Sequence, residues 1–127
     1  MFEKTILLVD DEKETLMFLA NTLKRLGYKV ITASSGAEAI TKTKDNSPDL
    51  ILLDVLMPGI SGDDVAVILS QDPDTANIPI VFLTGIISKE EEPLTHKTGQ
   101  RYLLAKPATA EEIQTTIQKI FFDVNKS

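Results

Sequence analysis

The sequence contains no cysteine and no tryptophan, and His96 is its only histidine. Without cysteine, the chain has neither a disulfide framework nor a thiolate metal site. His96 lies in a polar, lysine-containing segment, and no partner motif accompanies it. We therefore interpret it as a solvated surface residue rather than a metal ligand or a phosphorelay histidine. Disulfide-rich secreted scaffolds and cysteine-bound zinc centres are excluded.

Long apolar runs are also missing. No segment is apolar enough over sufficient length to span a membrane, and the N-terminus lacks the apolar core of a signal peptide. Acidic residues outnumber basic ones by 19 to 13, for a formal net charge of −6. A negative surface is not attracted to phosphate backbones or anionic lipids. We predict a cytoplasmic protein that neither binds nucleic acid directly nor associates with a membrane.

The length bounds the architecture. A chain of 127 residues with 43% hydrophobic content forms one domain that buries about two-thirds of its unfolded surface, and it leaves no room for a second domain. We therefore expect a single domain over residues 1–127 with a structured core at about residues 4–122. The sequence does not separate a natural stand-alone domain from a fragment of a larger protein.

One stretch, residues 48–62, organises the rest of the chain. Residues 50–53 are a continuous apolar run that ends in Asp54 and is followed by proline and glycine. The run is too short for a typical helix and is apolar on both faces, which predicts a buried central strand of a parallel sheet. In such sheets, functional groups collect beyond the carboxyl ends of the strands. An isolated aspartate at that position also serves as a structural cap of the next loop, so its role depends on its neighbours.

Four further strands and five helices are predicted from apolar periodicity. The strands are Thr5–Val9, Lys29–Ala33, residues 78–83 and Arg101–Ala105. The helices follow the strands: one carries Leu16, Leu19, Ala20, Leu23 and Leu26 and ends at Gly27, and the next two cover residues 36–45 and 63–70. The third helix presents Val65, Ile68 and Leu69 on one side, which we expect to be buried. A short, weakly held helix over residues 88–98 is interrupted by Pro93, and the last helix carries Ile113, Ile117, Ile120 and Phe121 after a Thr109/Glu112 capping box. This alternation predicts a doubly wound α/β fold with five parallel strands in the order 2-1-3-4-5 and helices on both faces.

Polar side chains follow four of these strands. They are Asp10 and Asp11 after the first, Asp54 after the third, Thr84 after the fourth and Lys106 after the fifth. Neighbouring carboxylates repel one another unless they hold protons or bind a hard divalent cation, and Mg²⁺ suits carboxylate oxygen. A single aspartate–lysine pair is often only a structural ion pair. The whole set, with a hydroxyl beside an open metal site, matches the requirements of phosphoryl transfer.

In these motifs the chain resembles the receiver domain of two-component response regulators, which has a flavodoxin-like fold. The matching residues are Val-Asp-Asp-Glu at 9–12, Asp54 with Met57-Pro58 and Gly62, Leu83-Thr84-Gly85, and Lys106-Pro107. The resemblance covers nearly the whole chain. It implies that Asp54 is the phosphoacceptor and receives its phosphoryl group from a sensor histidine kinase or a histidine phosphotransfer protein.

The same resemblance assigns roles to the other residues. It implies that Asp11 and Asp54 ligate Mg²⁺ directly, that Asp10 acts largely through water, and that the Leu56 carbonyl completes the protein ligands. A further implication is that Lys106 and Thr84 bind the phosphoryl group and that Thr84 moves to signal its presence. On this hypothesis the protein is a signalling switch that catalyses only its own phosphoryl transfer and dephosphorylation. Its output then passes to a downstream effector or to an output domain beyond this chain.

The chain departs from the family pattern at its switch. An aromatic residue is usual three positions before the lysine, but here that residue is Leu103, and Tyr102 stands one place early. Side chains alternate between faces along a strand, so Tyr102 is expected on the opposite face from Leu103. Coupling between an aromatic side chain and Thr84 is therefore in question.

Three interpretations remain open. We favour the phosphorylation-dependent switch. A flavodoxin-type cofactor binder shares the fold, but no glycine-rich phosphate loop follows the first strand. The third interpretation is a receiver-shaped scaffold that binds partners without phosphorylation. The retention of every site residue argues against it. Aspartyl-phosphate phosphatases place a second aspartate two residues after the nucleophile, and that position is Leu56 in this chain.

Overall fold

The computed structural model describes residues 4–55, 57–84, 101–105 and 108–126, and these ranges contain five strands and four helices. The strands are β1 (Thr5–Val9), β2 (Lys29–Ala33), β3 (Leu50–Asp54), β4 (Ile80–Thr84) and β5 (Arg101–Ala105). The helices are α1 (Lys13–Arg25), α2 (Gly36–Asn46), α3 (Gly62–Ser70) and α4 (Ala110–Lys126). The described helices number one fewer than the five predicted, and the short helix predicted over 88–98 lies outside the described residues. No helix in the described ranges is long and apolar enough to cross a membrane.

The sheet confirms the predicted fold class. All neighbouring strands are parallel, and their order is β2-β1-β3-β4-β5. The pairing places Val9 opposite Leu53, and it places Asp54 opposite Leu83. Because paired strands run in the same direction, the last residues of β1 and β3 meet at one edge of the sheet. The residues that follow them are therefore brought together.

Two apolar cores cover the two faces of the sheet. The first joins alternate strand residues to α1 and α4; its members include Leu8, Leu23, Leu52, Leu83, Leu104, Ile113 and Ile117. The second joins the other strand residues to α2 and α3; its members include Val9, Ala39, Leu53, Met57, Val65, Leu69 and Phe82. All five residues of β3 are buried, as predicted for a central strand covered on both sides.

The end of α1 follows the predicted glycine signal. Gly27 has a φ of +101°, a left-handed conformation that glycine adopts without a Cβ penalty. Its N–H donates to the Lys24 carbonyl at 3.0 Å, and the Tyr28 N–H donates to the Leu23 carbonyl at 3.1 Å. These two bonds form a Schellman motif, which satisfies carbonyls that the helix leaves unpaired.

The helices α2 and α3 each begin at a serine that caps them. The Ser35 hydroxyl accepts a hydrogen bond from the Glu38 N–H at 3.1 Å, and the Ser61 hydroxyl accepts one from the Asp64 N–H at 3.2 Å. The Glu38 carboxylate in turn accepts a hydrogen bond from the Ser34 N–H at 2.8 Å. That bond, with help from Lys42, holds the pKa of Glu38 below its usual value. Both helix starts are therefore fixed by short-range polar contacts.

The predicted capping box of the last helix is confirmed. The Glu112 N–H donates to the Thr109 hydroxyl at 3.0 Å, and the Thr109 N–H donates to the Glu112 carboxylate at 2.9 Å. Ile113, Ile117 and Ile120 are buried as predicted. The two reciprocal bonds satisfy backbone donors that the first turn leaves without helical partners.

Two local predictions were wrong. β4 begins at Ile80 rather than Ile78, because Pro79 lacks an N–H and contributes only its carbonyl, which accepts a bond from the Ile51 N–H at 3.0 Å. Ile68 of α3 is 37% exposed rather than buried, and Ala66 takes its place in the second core. The buried stripe of α3 therefore runs through Gly62, Val65, Ala66 and Leu69.

Candidate functional site

Three carboxylates meet where β1 and β3 end. Asp10 and Asp11 directly follow β1, and Asp54 is the last residue of β3. One carboxylate oxygen from each lies within 4.8 Å of those of the other two. Asp10 and Asp54 are buried and Asp11 is exposed. Two of the three carboxylates are therefore buried, and the side of the cluster at Asp11 is open to solvent.

Asp10 is held by the backbone on both sides. Its N–H donates to the Ala33 carbonyl at the end of the neighbouring β2 at 3.2 Å. Its Oδ1 accepts a hydrogen bond from the Glu12 N–H at 2.9 Å, the local turn that aspartate commonly makes with the residue two positions on. These bonds fix the carboxylate before any ligand arrives.

Asp54 is fixed by its strand and by the start of α3. The Val55 N–H donates to the Leu83 carbonyl at 3.3 Å, which extends the pairing of β3 with β4 by one bond. The Gly62 N–H donates to the Val55 carbonyl at 3.0 Å, and this bond returns α3 to the end of β3. A Cβ on Gly62 would lie against the carbonyl oxygen of Asp54 and 2.9 Å from the Val55 Cα. Glycine is required here because the helix packs directly on the backbone of Asp54.

The chemistry of the cluster suits a hard cation. At an effective dielectric constant near 20, two unit charges about 4 Å apart interact by about 4 kcal/mol, so three ionised carboxylates repel one another strongly. Mg²⁺ takes carboxylate oxygens, keeps several of its waters and is commonly completed by phosphate. An arrangement of three carboxylates with one open side fits that preference.

Comparisons with known proteins agree with this geometry. A family described as the response regulator receiver domain matches residues 6–118. The chain belongs to this family. The receiver is 37% identical over 117 residues to the alkaline phosphatase synthesis transcriptional regulatory protein PhoP of Bacillus subtilis, covering 92% of this chain and 48% of PhoP. It is 29% identical to protein PilH of Pseudomonas aeruginosa, covering 91% of this chain and 95% of PilH. It thus spans about half the length of PhoP and nearly all of PilH.

Solved structures give the same result. The receiver superposes on the chemotaxis protein CheY4 of Vibrio cholerae with a TM-score of 0.82 and 29% identity, covering 94% of this chain and 99% of CheY4. A response regulator from Chloroflexus aurantiacus gives a TM-score of 0.82 at 33% identity, with 94% and 98% coverage. The fold and the family of the receiver are therefore established together.

The remaining predicted site residues are less completely described. Thr84 ends β4 opposite Ala105, so its backbone stands at the same edge of the sheet, but its side chain is outside the described part of the structure. Leu56 and Lys106 also lie outside the described residues. Tyr102 packs against the first core and Leu103 against the second, which confirms that they face opposite sides of the sheet.

Sequence reasoning missed two features of the site. One is the Glu12 N–H, whose bond to Asp10 is signalled by an aspartate two residues earlier, a common turn pattern. The other is a cavity of about 500 Å³ whose wall includes Leu83, the residue paired with Asp54. It is lined by Glu12, Glu14, Thr15, Phe18, Leu19, Leu83 and Ala108. No periodicity in the sequence indicates it, because it forms between α1 and the end of the sheet.

Proposed function

We propose that the receiver accepts a phosphoryl group on the Asp54 carboxylate from a phosphohistidine and that this modification switches its binding to a partner. The observation that carries the proposal is the cluster of Asp10, Asp11 and Asp54, with Asp54 buried at the end of the central strand. A buried, oriented carboxylate beside two others has the position required of a nucleophile in a cation-dependent phosphoryl transfer.

In the proposed step, a carboxylate oxygen of Asp54 attacks the phosphorus atom. The new P–O bond forms as the P–N bond to the donor imidazole breaks, and the bonding electrons return to the imidazole nitrogen, which takes a proton from solvent. Reversal of the signal is the attack of water on the acyl phosphate, which restores the carboxylate and releases inorganic phosphate. The receiver catalyses both steps on itself.

Asp10, Asp11 and Asp54 would hold Mg²⁺ in this proposal, with the Leu56 carbonyl as a further ligand. When bound, the ion neutralises charge on the carboxylates and on the transferring phosphoryl group. Oδ1 of Asp10 already accepts a hydrogen bond from the Glu12 N–H. This supports a role in which the other carboxylate oxygen of Asp10 would bind the ion through a water molecule. Asp11 is exposed, so a phosphodonor would approach the cluster from its side.

Lys106 and Thr84 would bind the phosphoryl oxygens, with charge from the ammonium group and a hydrogen bond from the hydroxyl. Thr84 would then act as the switch residue, together with Leu103 or Tyr102 on the neighbouring β5. Support comes from the register, because Thr84 pairs with Ala105, two residues from Leu103 on the adjacent strand. Leu103 packs with the second core, so a shift of Thr84 would be transmitted by aliphatic contact rather than by an aromatic ring.

The proposed partners are a sensor histidine kinase or a histidine phosphotransfer protein upstream and an effector protein or output domain downstream. PhoP is named a transcriptional regulatory protein, and the match covers 48% of it, which supports an output carried outside a receiver of this size. PilH, 95% of which is covered, supports output through a separate protein. We place the protein in the cytoplasm, without direct contact to nucleic acid or membrane.

The deciding experiment measures phosphate incorporation at Asp54. Wild type, Asp54→Asn and the control Asp63→Asn are incubated with Mg²⁺ and acetyl phosphate, and intact-protein mass spectrometry follows the phosphorylated fraction. We expect Asp54→Asn to lose incorporation while keeping its fold, because the change is nearly isosteric and removes a repelling charge. Asp63 is exposed in the first turn of α3, so its variant should behave like wild type. Wild-type incorporation in Asp54→Asn would refute the assignment.

A further inference from the structure

The start of α2 lies against the loop that follows Asp54. A Cβ built on Gly36 would be 2.8 Å from the Ile60 carbonyl oxygen, 2.9 Å from the Ile60 Cβ and 3.0 Å from a Val65 methyl group. Distances below 3.0 Å are not tolerated by real side chains, and the first of these contacts is to backbone. The loop over residues 57–61 can therefore take its path only because residue 36 has no side chain.

Backbone conformation does not explain this glycine. Among the described residues, the glycines with positive φ are Gly27 and Gly59, and Gly36 is not one of them. It is the first residue of α2, where alanine is the better helix former. The close approach of Ile60 is the property of this position that glycine alone satisfies.

The loop connects this contact to the phosphoacceptor. Met57 and Ile60 anchor it in the second core, and it ends at Gly62. Gly62 packs on the carbonyl of Asp54 and donates to the Val55 carbonyl at 3.0 Å. A displacement of Ile60 therefore reaches the backbone of Asp54 through two intervening residues. The same loop begins beside residue 56, whose carbonyl is a proposed metal ligand.

We propose that Gly36 is a positioning residue for the phosphoacceptor site: by leaving room for Ile60, it sets the path of the loop over residues 57–61 and thereby the position of Asp54 relative to Asp10 and Asp11. This rests on the proposed function for its consequences for Mg²⁺ affinity and phosphorylation. The geometric part, that residue 36 controls the path of the loop and the backbone at Asp54, stands separately.

The test compares Gly36→Ala with the control Ala37→Ser. Each adds one heavy atom in the first turn of α2, but Ala37 is exposed. Three measurements are made below the melting temperature on protein shown to be folded by circular dichroism: the amide NMR shifts of Val55 and Gly62 without metal, the Mg²⁺ dissociation constant by calorimetry, and the rate of phosphate incorporation from acetyl phosphate.

We expect Gly36→Ala to move both amide resonances, to weaken Mg²⁺ binding by at least about threefold and to slow incorporation by about tenfold or more, since sub-ångström misplacement of reacting groups is costly. Ala37→Ser should match wild type in all three. A merely structural role would lower the melting temperature and leave the cation affinity of the folded protein unchanged, and that result would overturn the proposal.

Two further outcomes are separable. If Gly36→Ala does not fold, Ile60→Ala replaces it, because shortening this half-buried anchor loosens the loop without a clash; unchanged Mg²⁺ affinity and amide shifts in that variant would refute the inference. If wild type takes up no phosphate, the proposed function fails, while the amide shifts still decide the geometric role of Gly36.

Discussion

The three aspartates of the cluster differ in how they are held. Asp10 has no exposed surface and Asp54 only 7%, whereas Asp11 is exposed. A buried carboxylate is costly unless hydrogen bonds or a cation offset its charge, and the Glu12 N–H supplies one such bond to Asp10. The charge of the exposed Asp11 carboxylate is already stabilised by solvent. Its removal should therefore perturb the fold least and affect cation binding directly.

Magnesium should stabilise the receiver through these residues. A ligand that binds only the folded state adds about 1.4 kcal/mol at a free concentration ten times its dissociation constant, which raises the melting temperature by a few degrees. We expect this rise in wild type at millimolar Mg²⁺ and its loss in Asp11→Ala. Differential scanning fluorimetry over a Mg²⁺ titration measures both.

Glu14→Ala is the matched control for that experiment. It removes one exposed carboxylate from the neighbouring turn of α1 and leaves the cluster intact. Its melting temperature should rise with Mg²⁺ as in wild type. Equal rises in Asp11→Ala and wild type would show that the ion acts elsewhere on this acidic protein.

The sequence predicts which residues lie at the ends of strands. It does not predict which residues of different elements approach each other closely. Apolar runs that stop at a carboxylate predict that Asp10, Asp11 and Asp54 lie together, because parallel strands end at the same edge of the sheet. The close approaches at Gly36 and Gly62 are absent from any sequence pattern, since they join elements whose separation is set only by packing. The roles of the three aspartates and of Leu56, Thr84 and Lys106 stay predictions.

At the scale of elements, the helix boundaries are set largely by local hydrogen bonds. Side-chain hydroxyls of Ser35, Ser61 and Thr109 accept bonds from the first turns of α2, α3 and α4. Each bond forms within three residues, so its sequence signature is short and specific. The Thr109 and Glu112 pair is therefore predictable from the sequence alone.

The Thr109 cap should contribute measurably to stability. We expect Thr109→Ala to lower the free energy of unfolding by about 1 kcal/mol, because it leaves a backbone donor of the first turn without its partner. Urea denaturation followed by circular dichroism measures the change. Thr115→Ala is the control: Thr115 is exposed in the middle of α4, where alanine is the better helix former, so that variant should be equal to or more stable than wild type. A loss of equal size in both variants would contradict the capping argument.

Elements were less predictable where apolar residues compete for the same face. Ile68 and Ala66 both fit a helical stripe of α3, and only packing against the second core decides that Ala66 is buried. Similarly, Pro79 lies within an apolar run, but the missing N–H moves the start of β4 to Ile80. Periodicity identifies an element, and the neighbouring surface then selects which residues it buries.

At the scale of the whole molecule, the cores cover both faces of the sheet and leave one edge for chemistry. Two neighbouring apolar side chains of α1 are exposed, Met17 at 57% and Phe18 at 61%. Phe18 also lines the cavity of about 500 Å³, whose wall includes Leu83, the residue paired with Asp54. The cavity therefore reaches the strand residue paired with the proposed phosphoacceptor, and Glu12 and Glu14 are among its lining residues.

We expect this surface of α1 to contact the protein that donates the phosphoryl group. If the proposed function holds, a phosphohistidine on a partner must reach Asp54, and we expect that partner to cover the cavity and bury Phe18. Exposed aromatic side chains commonly dominate binding at such interfaces. Phe18→Ala should slow phosphoryl transfer from a purified histidine phosphotransfer protein by about tenfold, which corresponds to about 1.4 kcal/mol. Its phosphorylation by acetyl phosphate should equal that of wild type, because a small donor needs no docking surface.

Phe122→Ala is the matched control, since Phe122 is 64% exposed. The Lys4 ammonium lies 5.2 Å from the ring centroid of the neighbouring Phe121. Because Lys4 directly precedes β1, this part of α4 lies at the opposite end of the sheet from Asp54. Transfer from the phosphotransfer protein should be unaffected there. If Phe18→Ala and Phe122→Ala slow that transfer equally, or if Phe18→Ala also slows the reaction with acetyl phosphate, then Phe18 acts through the fold and α1 is not the docking surface.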